Sequence, residues 1–475
     1  IMQSINRFDV IADYVMFPGM ETRSHQDGPE HSIVYVNELI NTTHTKASYE
    51  SLAIGGIRIN SAKEWTNFTQ LSAYFKQGIR VTNLVSSELW DSTVSYPVNL
   101  SSLFRIVFYK GKSYRCMKAP NVNRKPDEES EYWKEHKEAS NNFAEIAYAL
   151  LTDENLGAGK LVGINAVGDM RTAAKFCDAN GFTWDGMISN KINLREFLHQ
   201  HATYNLLDFT VIGGRFNLLP SVPYKKGSHE IDHEQKVNVS ALFTDGNIKD
   251  LKVSFLSPEE RQMFQAHIMY RKEKANAFAE TKSLIFRLKD EYGGSSTDPI
   301  ETFDLSGFCT TENHAKKFAK HVLKIRKEVD HGISFKTGPQ FCLNLSPGQY
   351  IRVVSEATHI DGYANGVITE GGEVITTDPI TETNASIYYW KPGTTEVLEQ
   401  AGVNFVTGQN LPTERVLFTL KETVTSNRVY KIETISYAED GLIEISGSHA
   451  PLTDTGSLAI LDGWDGTLSH FTPVS

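Results

Sequence analysis

The sequence predicts a multidomain α+β protein with mostly antiparallel sheet, in which β-barrel or β-sandwich domains carry a few packed helices. Short strand-like runs separated by Pro-Gly, Gly-Gly and Asp-Gly turns fill much of the chain. Apolar residues with helical spacing are concentrated in two regions, 141–205 and 310–328. The length of 475 residues is enough for about three or four domains.

Composition and charge exclude several classes of protein. Hydrophobic residues make up 40% and charged residues 22% of the chain, an ordinary balance for globular domains. The net charge of −11 argues against specific nucleic-acid binding and against attachment to anionic membranes. No run of about 18 apolar residues occurs, so we expect no membrane-spanning segment. The first residue is not Met and no secretory signal pattern follows, so we expect a fragment or a processed product.

Changes in composition along the chain divide it into four expected domains. Residues 1–85 are rich in strand-like runs and form part of a β domain. Residues 86–138 form an inserted domain that is dense in aromatic side chains. Residues 139–306 form an α/β domain. Residues 307–475 combine a helix with a C-terminal β-barrel domain and a tail.

The α/β domain contains three predicted helices followed by a hairpin. Asn141 or Asn142 is a suitable N-cap for the first helix, in "NNFAEIAYALL". The second, in "MRTAAKFCDANG", is expected to stop at Gly181, because glycine adopts the left-handed conformation of a helix C-terminus. The third lies in "NLREFLHQHATYNLL". The following strands are expected to turn through Gly213 and Gly214.

A longer helix is predicted from about residue 310 to residue 328, with Thr310 or Thr311 as its N-cap. Its apolar face consists of Ala315, Phe318, Ala319, Val322 and Leu323. Its other residues include Lys316, Lys317, Lys320, Lys324, Arg326 and Lys327. These basic side chains are expected to form a solvated outer face. Phosphate contact along nucleic acid is the disfavoured alternative, because no aromatic residues alternate with the lysines and the whole chain is acidic.

The C-terminal region is predicted to be all β from about residue 333 to residue 447. Within it, "LNLSPGQYIRVV" is expected to form a strand, a turn at Pro347-Gly348 and a second strand. Further strands separated by short turns favour a barrel or a sandwich. The tail after residue 450 is expected to wrap onto a neighbouring subunit.

The chain contains no recognisable catalytic or metal-binding motif. Its four cysteines are too far apart for a CxxC pair, and we expect buried, unreactive thiols. His199 and His201 are two positions apart on a predicted helix, so their rings point in different directions and do not share a metal. Asp185 and Glu230 lie near glycine turns, but sequence alone does not pair them as glycosidase acids. We therefore expect no catalytic residues, no cofactor and no metal site.

Aromatic residues crowd into the segment 86–138. The candidates for contact with a sugar are Trp90, Tyr96, Tyr109, Tyr114 and Trp133. Flat aromatic faces stack on sugar rings, but a module this small also needs aromatic residues for its core. The sequence therefore leaves both interpretations open.

The order of several segments resembles the hub region of the host-specificity protein J family of lambda-like phages. These segments include "FAEIAYALLTDENLGAGKLV", "AAKFCDANGFTWDGMI", "FCTTENHAKKFAKHVLKIRKE" and "YKIETISYAEDGLIEISGSHAP". The resemblance covers nearly the whole chain outside 86–138. That inserted segment, with "LWDSTVSY", "VFYKGKSYRCMKA" and "EYWKE", resembles a small chitin- or cellulose-binding module.

The resemblance implies a structural hub protein at the distal end of a phage tail. Such a protein would form a homotrimeric tip or baseplate that closes or continues the tail tube and supports host attachment. Its implied partners are the distal tail protein, the tape measure protein, other tail tip proteins and host surface polysaccharide. It would be made in the host cytoplasm and reside in the virion.

An alternative is a virion-associated or secreted protein that binds polysaccharide, or a cell-wall glycosidase, with 86–138 as the targeting module. Release of reducing sugar separates the glycosidase from the other two functions.

Overall fold

The computed structural model describes most of the chain after residue 80 and, before it, strand backbones only. The described strand backbones are 7–9, 14–16, 22–24, 31–36, 38–41, 46–48 and 54–60. The other described residues are 80–98, 106–155, 157–188, 191–274, 277–355, 364–376, 379–421, 428–464 and 469–474. The chain divides into two compact units, residues 1–141 and residues 142–475. The fold is α+β with mostly antiparallel sheets, which confirms the predicted class.

Unit 1, residues 1–141, is built from short strands. They are β1 (Arg7–Asp9), β2 (Tyr14–Met16), β3 (Thr22–Ser24), β4 (His31–Val36), β5 (Glu38–Asn41), β6 (Lys46–Ser48), β7 (Ile54–Asn60), β8 (Arg80–Thr82), β9 (Ser87–Leu89), β10 (Ile106–Tyr109), β11 (Lys112–Cys116), β12 (Trp133–Glu135) and β13 (Lys137–Ala139). They form sheets in the orders β1-β7-β4-β3, β2-β5-β6, β8-β13 and β12-β11-β10-β9. β4 and β7 agree with the strand-like runs expected in residues 1–85, whereas residues 61–79 lie outside the described residues.

Unit 2, residues 142–475, combines helices with longer strands. The helices are α1 (Phe143–Thr152), α2 (Gly159–Val162), α3 (Arg171–Asn180), α4 (Leu194–Tyr204) and α5 (Glu312–Glu328). The strands before α5 are β14 (Leu207–Ile212), β15 (Arg215–Pro220), β16 (Val239–Thr244), β17 (Ile248–Phe255), β18 (Gln265–Lys274), β19 (Ala277–Leu288) and β20 (Ile300–Asp304). Those after it are β21 (His331–Thr337), β22 (Tyr350–Val354), β23 (Asn365–Ile368), β24 (Val374–Thr376), β25 (Ala385–Trp390), β26 (Leu398–Val403), β27 (Val416–Leu420), β28 (Val429–Tyr437), β29 (Ile443–His449) and β30 (Phe471–Val474).

The helix boundaries follow the local sequence signals. Asn142 caps α1 and Asn193 caps α4, each accepting a hydrogen bond from a backbone N–H in the first turn. Gly181 ends α3 in the left-handed conformation, with φ 67°. Thr311 caps α5 through a hydrogen bond from the His314 N–H. The predicted helices are therefore confirmed, and their ends lie where the capping residues place them.

A six-stranded sheet in the order β16-β22-β28-β29-β21-β17 forms the main core of unit 2. β16 and β22 are parallel, and the other neighbours in this sheet are antiparallel. Phe243 and Phe335 lie with their ring centroids 4.8 Å apart on its buried face. Trp390 from β25 packs on the same core. Strands from both sides of residue 306 build this sheet, while the proposed division at that residue stays a prediction.

The remaining sheets of unit 2 surround this core or extend it. β20-β18-β19-β30 form a four-stranded sheet, β24-β23-β27-β25-β26 form a five-stranded sheet, and β14-β15 form a hairpin. Gly213 and Gly214 make the hairpin turn with φ values of 57° and 75°. Ile387 and Phe418 centre a separate apolar cluster in the five-stranded sheet, and both are fully buried.

The predicted solvated lysine face of α5 is wrong for two of its members. Lys320 and Lys324 are only 9% and 1% exposed. The Lys320 ammonium lies 6.0 Å from the ring centroid of Trp464 and 5.3 Å from that of Phe471. The helix is therefore covered on a second side by residues far along the chain, a contact that helical periodicity does not reveal. The aliphatic stems of the lysines supply part of this packing.

The expectation that the tail wraps onto a neighbouring subunit is also wrong for its apolar residues. Leu458, Leu461 and Phe471 are at most 2% exposed within the single chain. β30 pairs antiparallel with β19, which fixes the tail to its own four-stranded sheet. These side chains are therefore buried by packing within the chain itself.

Two smaller expectations have mixed outcomes. The strand expected at residues 343–345 is a turn, although Gly348 and β22 lie where "LNLSPGQYIRVV" predicts them. All four cysteines are buried and free, as expected.

None of the helices in the part of the chain that the structure describes combines the length and apolar content that crossing a bilayer requires.

Candidate functional site

The aromatic residues predicted to contact sugar lie together in unit 1. β10 and β11 form a hairpin whose turn consists of Lys110 and Gly111, with φ values of 45° and 80°. The register places Val107 opposite Tyr114 and Cys116 opposite Trp133, so these side chains share one face of the sheet. The segment after β9 folds over the same face and adds Tyr96.

Three of the five candidates are core residues. Tyr96, Tyr114 and Trp133 are 2%, 8% and 2% exposed. The rings of Tyr96 and Trp133 meet edge to face with centroids 5.2 Å apart. The Trp133 indole donates a hydrogen bond of 2.8 Å to the Arg124 carbonyl oxygen. The structure therefore places these three side chains where they stabilise the module and not at its surface.

Trp90 and Tyr109 lie at the edge of the cluster and are half-buried. Their rings meet edge to face with centroids 5.1 Å apart, and the neighbouring Leu89 is 62% exposed. The indole nitrogen of Trp90 is buried and makes no hydrogen bond within the described residues. An indole N–H without a partner is a donor that a hydroxyl oxygen can satisfy.

Tyr132 is a third half-buried aromatic residue in this module. The Arg124 guanidinium lies 4.8 Å and the Lys118 ammonium 5.3 Å from its ring centroid. Two cation–π contacts thus involve this ring, and the Lys110 ammonium likewise lies 5.2 Å from the ring centroid of Tyr109.

The two histidines of the H-Q-H sequence lie on different sides of α4. His199 is exposed, whereas His201 packs against Phe197 with ring centroids 4.3 Å apart. The Trp184 indole donates a hydrogen bond of 3.1 Å to Nδ1 of His201. Burial lowers the pKa of His201 to about 4. The two rings thus point to different sides of α4, as their two-residue spacing predicts.

The carboxylate of Asp185 serves packing in the described structure. It accepts a hydrogen bond of 2.5 Å from the Thr310 hydroxyl next to the start of α5. Its backbone carbonyl accepts a hydrogen bond from the Arg271 guanidinium. Glu230, the other acid considered from the sequence, is an exposed side chain in a loop.

A cavity of about 800 Å³ lies between the β14-β15 hairpin, α4, α5 and the six-stranded sheet. Apolar side chains such as Phe209 and Ile432 line it together with charged ones. Lys431 donates a hydrogen bond of 2.9 Å to the Ser221 carbonyl oxygen and forms an ion pair with Asp208. Within the described residues, the Ser221 hydroxyl and Nδ1 of His321, which also belong to this lining, are buried without a hydrogen bond.

Asp330, His331 and His449 come together in a group that the sequence does not predict. Their ligand atoms lie within 4.8 Å of one another, at the end of the six-stranded sheet. His331 and His449 are separated by a long stretch of chain and meet only because β21 pairs with β29. No local motif marks them, and the adjacent Asp-His pair was the only available signal.

Comparisons with known proteins give distant structural likenesses. No family model matches the sequence, and no curated protein matches it. The 43 kDa tail protein of prophage MuSo2 from Shewanella oneidensis is 11% identical, with a TM-score of 0.24, over 49% of this chain and 56% of that one. The chain therefore spans just over half the length of that protein.

Two further likenesses extend over more of the chain. A chain of the native gene transfer agent virion is 10% identical, with a TM-score of 0.33, over 94% of this chain and 85% of that one. A tail protein from Neisseria meningitidis MC58 is 9% identical, with a TM-score of 0.26, over 88% of this chain and 92% of that one.

Proposed function

We propose that this chain is a structural protein of a phage tail, located in the hub of the distal tip or baseplate. The observation that carries the proposal is the ordered series of sequence segments resembling the lambda-like hub family, which covers nearly the whole chain outside 86–138. The elements expected in those segments, such as the capped helix α5 and the strands β28 and β29, are consistent with it. We further propose that the chain acts as a homotrimer with the distal tail and tape measure proteins as partners.

An edge strand of unit 2 supports the proposal that several copies of the chain assemble. β17 is an end strand of the six-stranded sheet, and no other described strand pairs with its outer side. It is eight residues long, and Phe255 at its end is 69% exposed. Unpaired strand edges invite pairing with another chain, and a closed ring of subunits protects them.

Location and copy number test this proposal together. Immunogold labelling of virions with an antibody against the chain is expected to mark the distal end of the tail. Three-dimensional reconstruction of that tip is expected to contain three copies around the tail axis. Label on the capsid or on the tail shaft would reject the hub location, and one copy or six equivalent copies would reject the trimer.

The role we propose is structural and not enzymatic. The assay is release of reducing sugar from host cell wall by the purified chain, and we expect none above background. Release that Asp185→Asn or Glu230→Gln abolishes would support the glycosidase alternative instead.

Polysaccharide contact by the insert 86–138 is a second candidate function, favoured by the Trp90–Tyr109 pair. Their half-exposed rings offer apolar faces on which a sugar ring can stack. Retention on chitin, cellulose and purified host polysaccharide is the measurement. Trp90→Ala is expected to abolish retention, while Tyr132→Ala, in the ring already covered by cations, is expected to preserve it. Equal retention of both variants and the parent chain would exclude this surface.

A further inference from the structure

Four ring side chains form a row across four neighbouring strands at one end of the six-stranded sheet. Phe255 of β17 pairs with His331 of β21, and Tyr430 of β28 pairs with His449 of β29. The adjacent pair Gly332–Ser448 brings the two histidines opposite each other. The imidazole rings lie nearly parallel, with centroids 4.3 Å apart and an interplanar angle of 29°.

Asp330 directs one carboxylate oxygen at both histidines. Its Oδ1 lies 2.7 Å from Nδ1 of His331 and 2.7 Å from Nδ1 of His449. The His449 side chain is 6% exposed and that of His331 10%, whereas that of Asp330 is 30% exposed. The cluster is thus enclosed on the side of the rings and open to solvent on the side of the carboxylate.

We propose that Asp330, His331 and His449 form a binding site for one Zn²⁺ ion. The ion would be coordinated by the carboxylate of Asp330 and by Nδ1 of each histidine. Imidazole nitrogen and carboxylate oxygen are ligands that Zn²⁺ prefers, and three protein ligands leave a fourth position for water. The open side at Asp330 gives the ion and that water a path from solvent.

The three ligand atoms must move to accept the ion, because Oδ1 lies 2.7 Å from each nitrogen and the ligand atoms lie within 4.8 Å of one another. Two ligand atoms at tetrahedral angles around zinc stand roughly 3.4 Å apart, so each nitrogen moves away from the oxygen by roughly 0.7 Å. His331 is the first residue of β21 and His449 is the last residue of β29. Residues at strand ends move without breaking the ladder between them.

Neighbouring groups favour both the ligand orientation and the charge. Nε2 of His331 lies 3.0 Å from the Tyr430 hydroxyl, which fixes the ring and holds the proton on Nε2 when Nδ1 binds metal. Asp330 directly follows Val329, the C-cap of α5. The carbonyl end of a helix carries partial negative charge, which favours a cation in the adjoining residues.

Zinc at this site would join the end of α5 to the pairing of β21 with β29. Its expected effect is on stability, because an ion that binds the folded chain and not the unfolded one raises the free energy of unfolding.

The test uses the full chain after dialysis against a chelator. Calorimetric titration with ZnCl₂ and metal analysis after equilibrium dialysis are expected to give one Zn²⁺ per chain. Asp330→Asn keeps an oxygen that accepts both N–H groups but loses the anionic ligand. Asp330→Asn and His449→Gln are each expected to weaken binding by at least about 100-fold, and Tyr430→Phe by about 10–100-fold. His199→Gln, an exposed histidine of unit 2, is the matched control and is expected to bind as the parent does.

Thermal unfolding supplies a second readout for the same variants. ZnCl₂ is expected to raise the Tm of the parent chain and of His199→Gln and to leave that of Asp330→Asn unchanged. Two results would overturn the proposal. One is a parent chain that binds no Zn²⁺, in which case the cluster is a hydrogen-bonded group only. The other is binding that persists unchanged in both Asp330→Asn and His449→Gln, which would place the ion elsewhere.

Discussion

The ammonium of Lys431 and the carboxylate of Asp208 form an ion pair between residues 223 positions apart in the chain. The pair joins β28 of the six-stranded sheet to β14 of the hairpin beside it. Burial disfavours the charge of Lys431, but attraction to the surrounding groups, chiefly Asp208, together outweighs burial and holds the pKa of Lys431 above its usual value.

Loss of one partner of this pair is predicted to cost more than loss of both. Asp208→Asn leaves the ammonium with the Ser221 carbonyl as its remaining acceptor and is expected to lower the free energy of unfolding by about 1–3 kcal/mol. Adding Lys431→Met removes the unpaired charge and is expected to recover part of that loss. Denaturant unfolding of the single and double variants measures both effects. A double variant less stable than Asp208→Asn would contradict this account.

The buried lysine of α5 is predicted to contribute mainly through its stem. The Lys324 ammonium lies 3.8 Å from the Glu328 carboxylate and 3.9 Å from that of Asp462, and burial lowers the pKa of Lys324. Lys324→Met keeps the stem and is expected to change the free energy of unfolding by less than about 1 kcal/mol. Lys324→Ala is expected to cost about 2–4 kcal/mol, as a large-to-small core substitution does. Lys327→Met, at an exposed position, is the control and is expected to leave the free energy of unfolding nearly unchanged. Equal losses of stability in Lys324→Met and Lys324→Ala would show that the aliphatic stem of Lys324 is not packed.

Substitution on the apolar face of α5 is predicted to lower the free energy of unfolding more than substitution of Lys324 does. Phe318 is 2% exposed, and its ring meets Tyr204 edge to face with centroids 5.3 Å apart. Phe318→Ala is expected to lower the free energy of unfolding by about 3–5 kcal/mol. Phe318→Leu, which keeps most of the apolar contact, is the matched variant and is expected to cost markedly less in the same denaturation experiment. Similar losses in the two would argue that the ring itself, and not its volume, is what α5 requires.

Buried neutral histidines are predicted to make the fold acid-sensitive. Burial lowers the pKa of His314 and of His321 to about 4. The unfolded chain takes up these protons near pH 6.5, so it binds more protons than the folded chain between pH 6.5 and 4. Stability therefore falls as pH decreases through this window and rises as pH increases. His321→Phe is expected to reduce that fall by up to about 3 kcal/mol, measured by denaturant unfolding at pH 7 and pH 4.5. An unchanged difference between the two pH values would mean that His321 is charged in the folded state.

The indole hydrogen bond of the insert gives a prediction for unit 1. Trp133→Phe keeps a ring in the core but leaves the Arg124 carbonyl without its 2.8 Å hydrogen bond. The expected cost is about 1–3 kcal/mol, followed by tryptophan fluorescence or by proteolysis of the insert. Tyr114→Phe, which removes only a hydroxyl from the same face, is expected to cost less than about 0.5 kcal/mol. A larger effect at Tyr114 would reverse the assignment of polar contacts in this core.

Local signals determined most of what the sequence could predict. Asn142, Gly181 and the Gly213-Gly214 turn act within a few residues of their own position, so their roles are readable from the sequence. The class of the fold follows from the same turns and from strand and helix periodicity. The five aromatic candidates lie close together in the sequence, so their grouping in one cluster could be predicted. Which of them are core residues and which lie at the edge depends on the sheet register, which the sequence does not reveal.

Long-range contacts account for what the sequence did not predict. Lys320 looks like a solvated residue on α5 because Trp464 and Phe471, which cover it, lie far along the chain. His331 and His449 are unremarkable alone and become neighbours only through the pairing of two strands. No periodicity within a single helix or strand contains this information.

The parallel pairing of β16 with β22 has a kinetic consequence. Val239 and Tyr350 are register partners, and the chain between them contains β17 to β21 and α5. Closing so long a loop costs chain entropy, and the contacts between β16 and β22 offset that cost only once they have formed. We therefore expect β16 to dock late and slowly. Until then the apolar run Ala241, Leu242 and Phe243 stays uncovered. Refolding of the diluted chain therefore competes with self-association, and its yield is expected to fall as protein concentration rises.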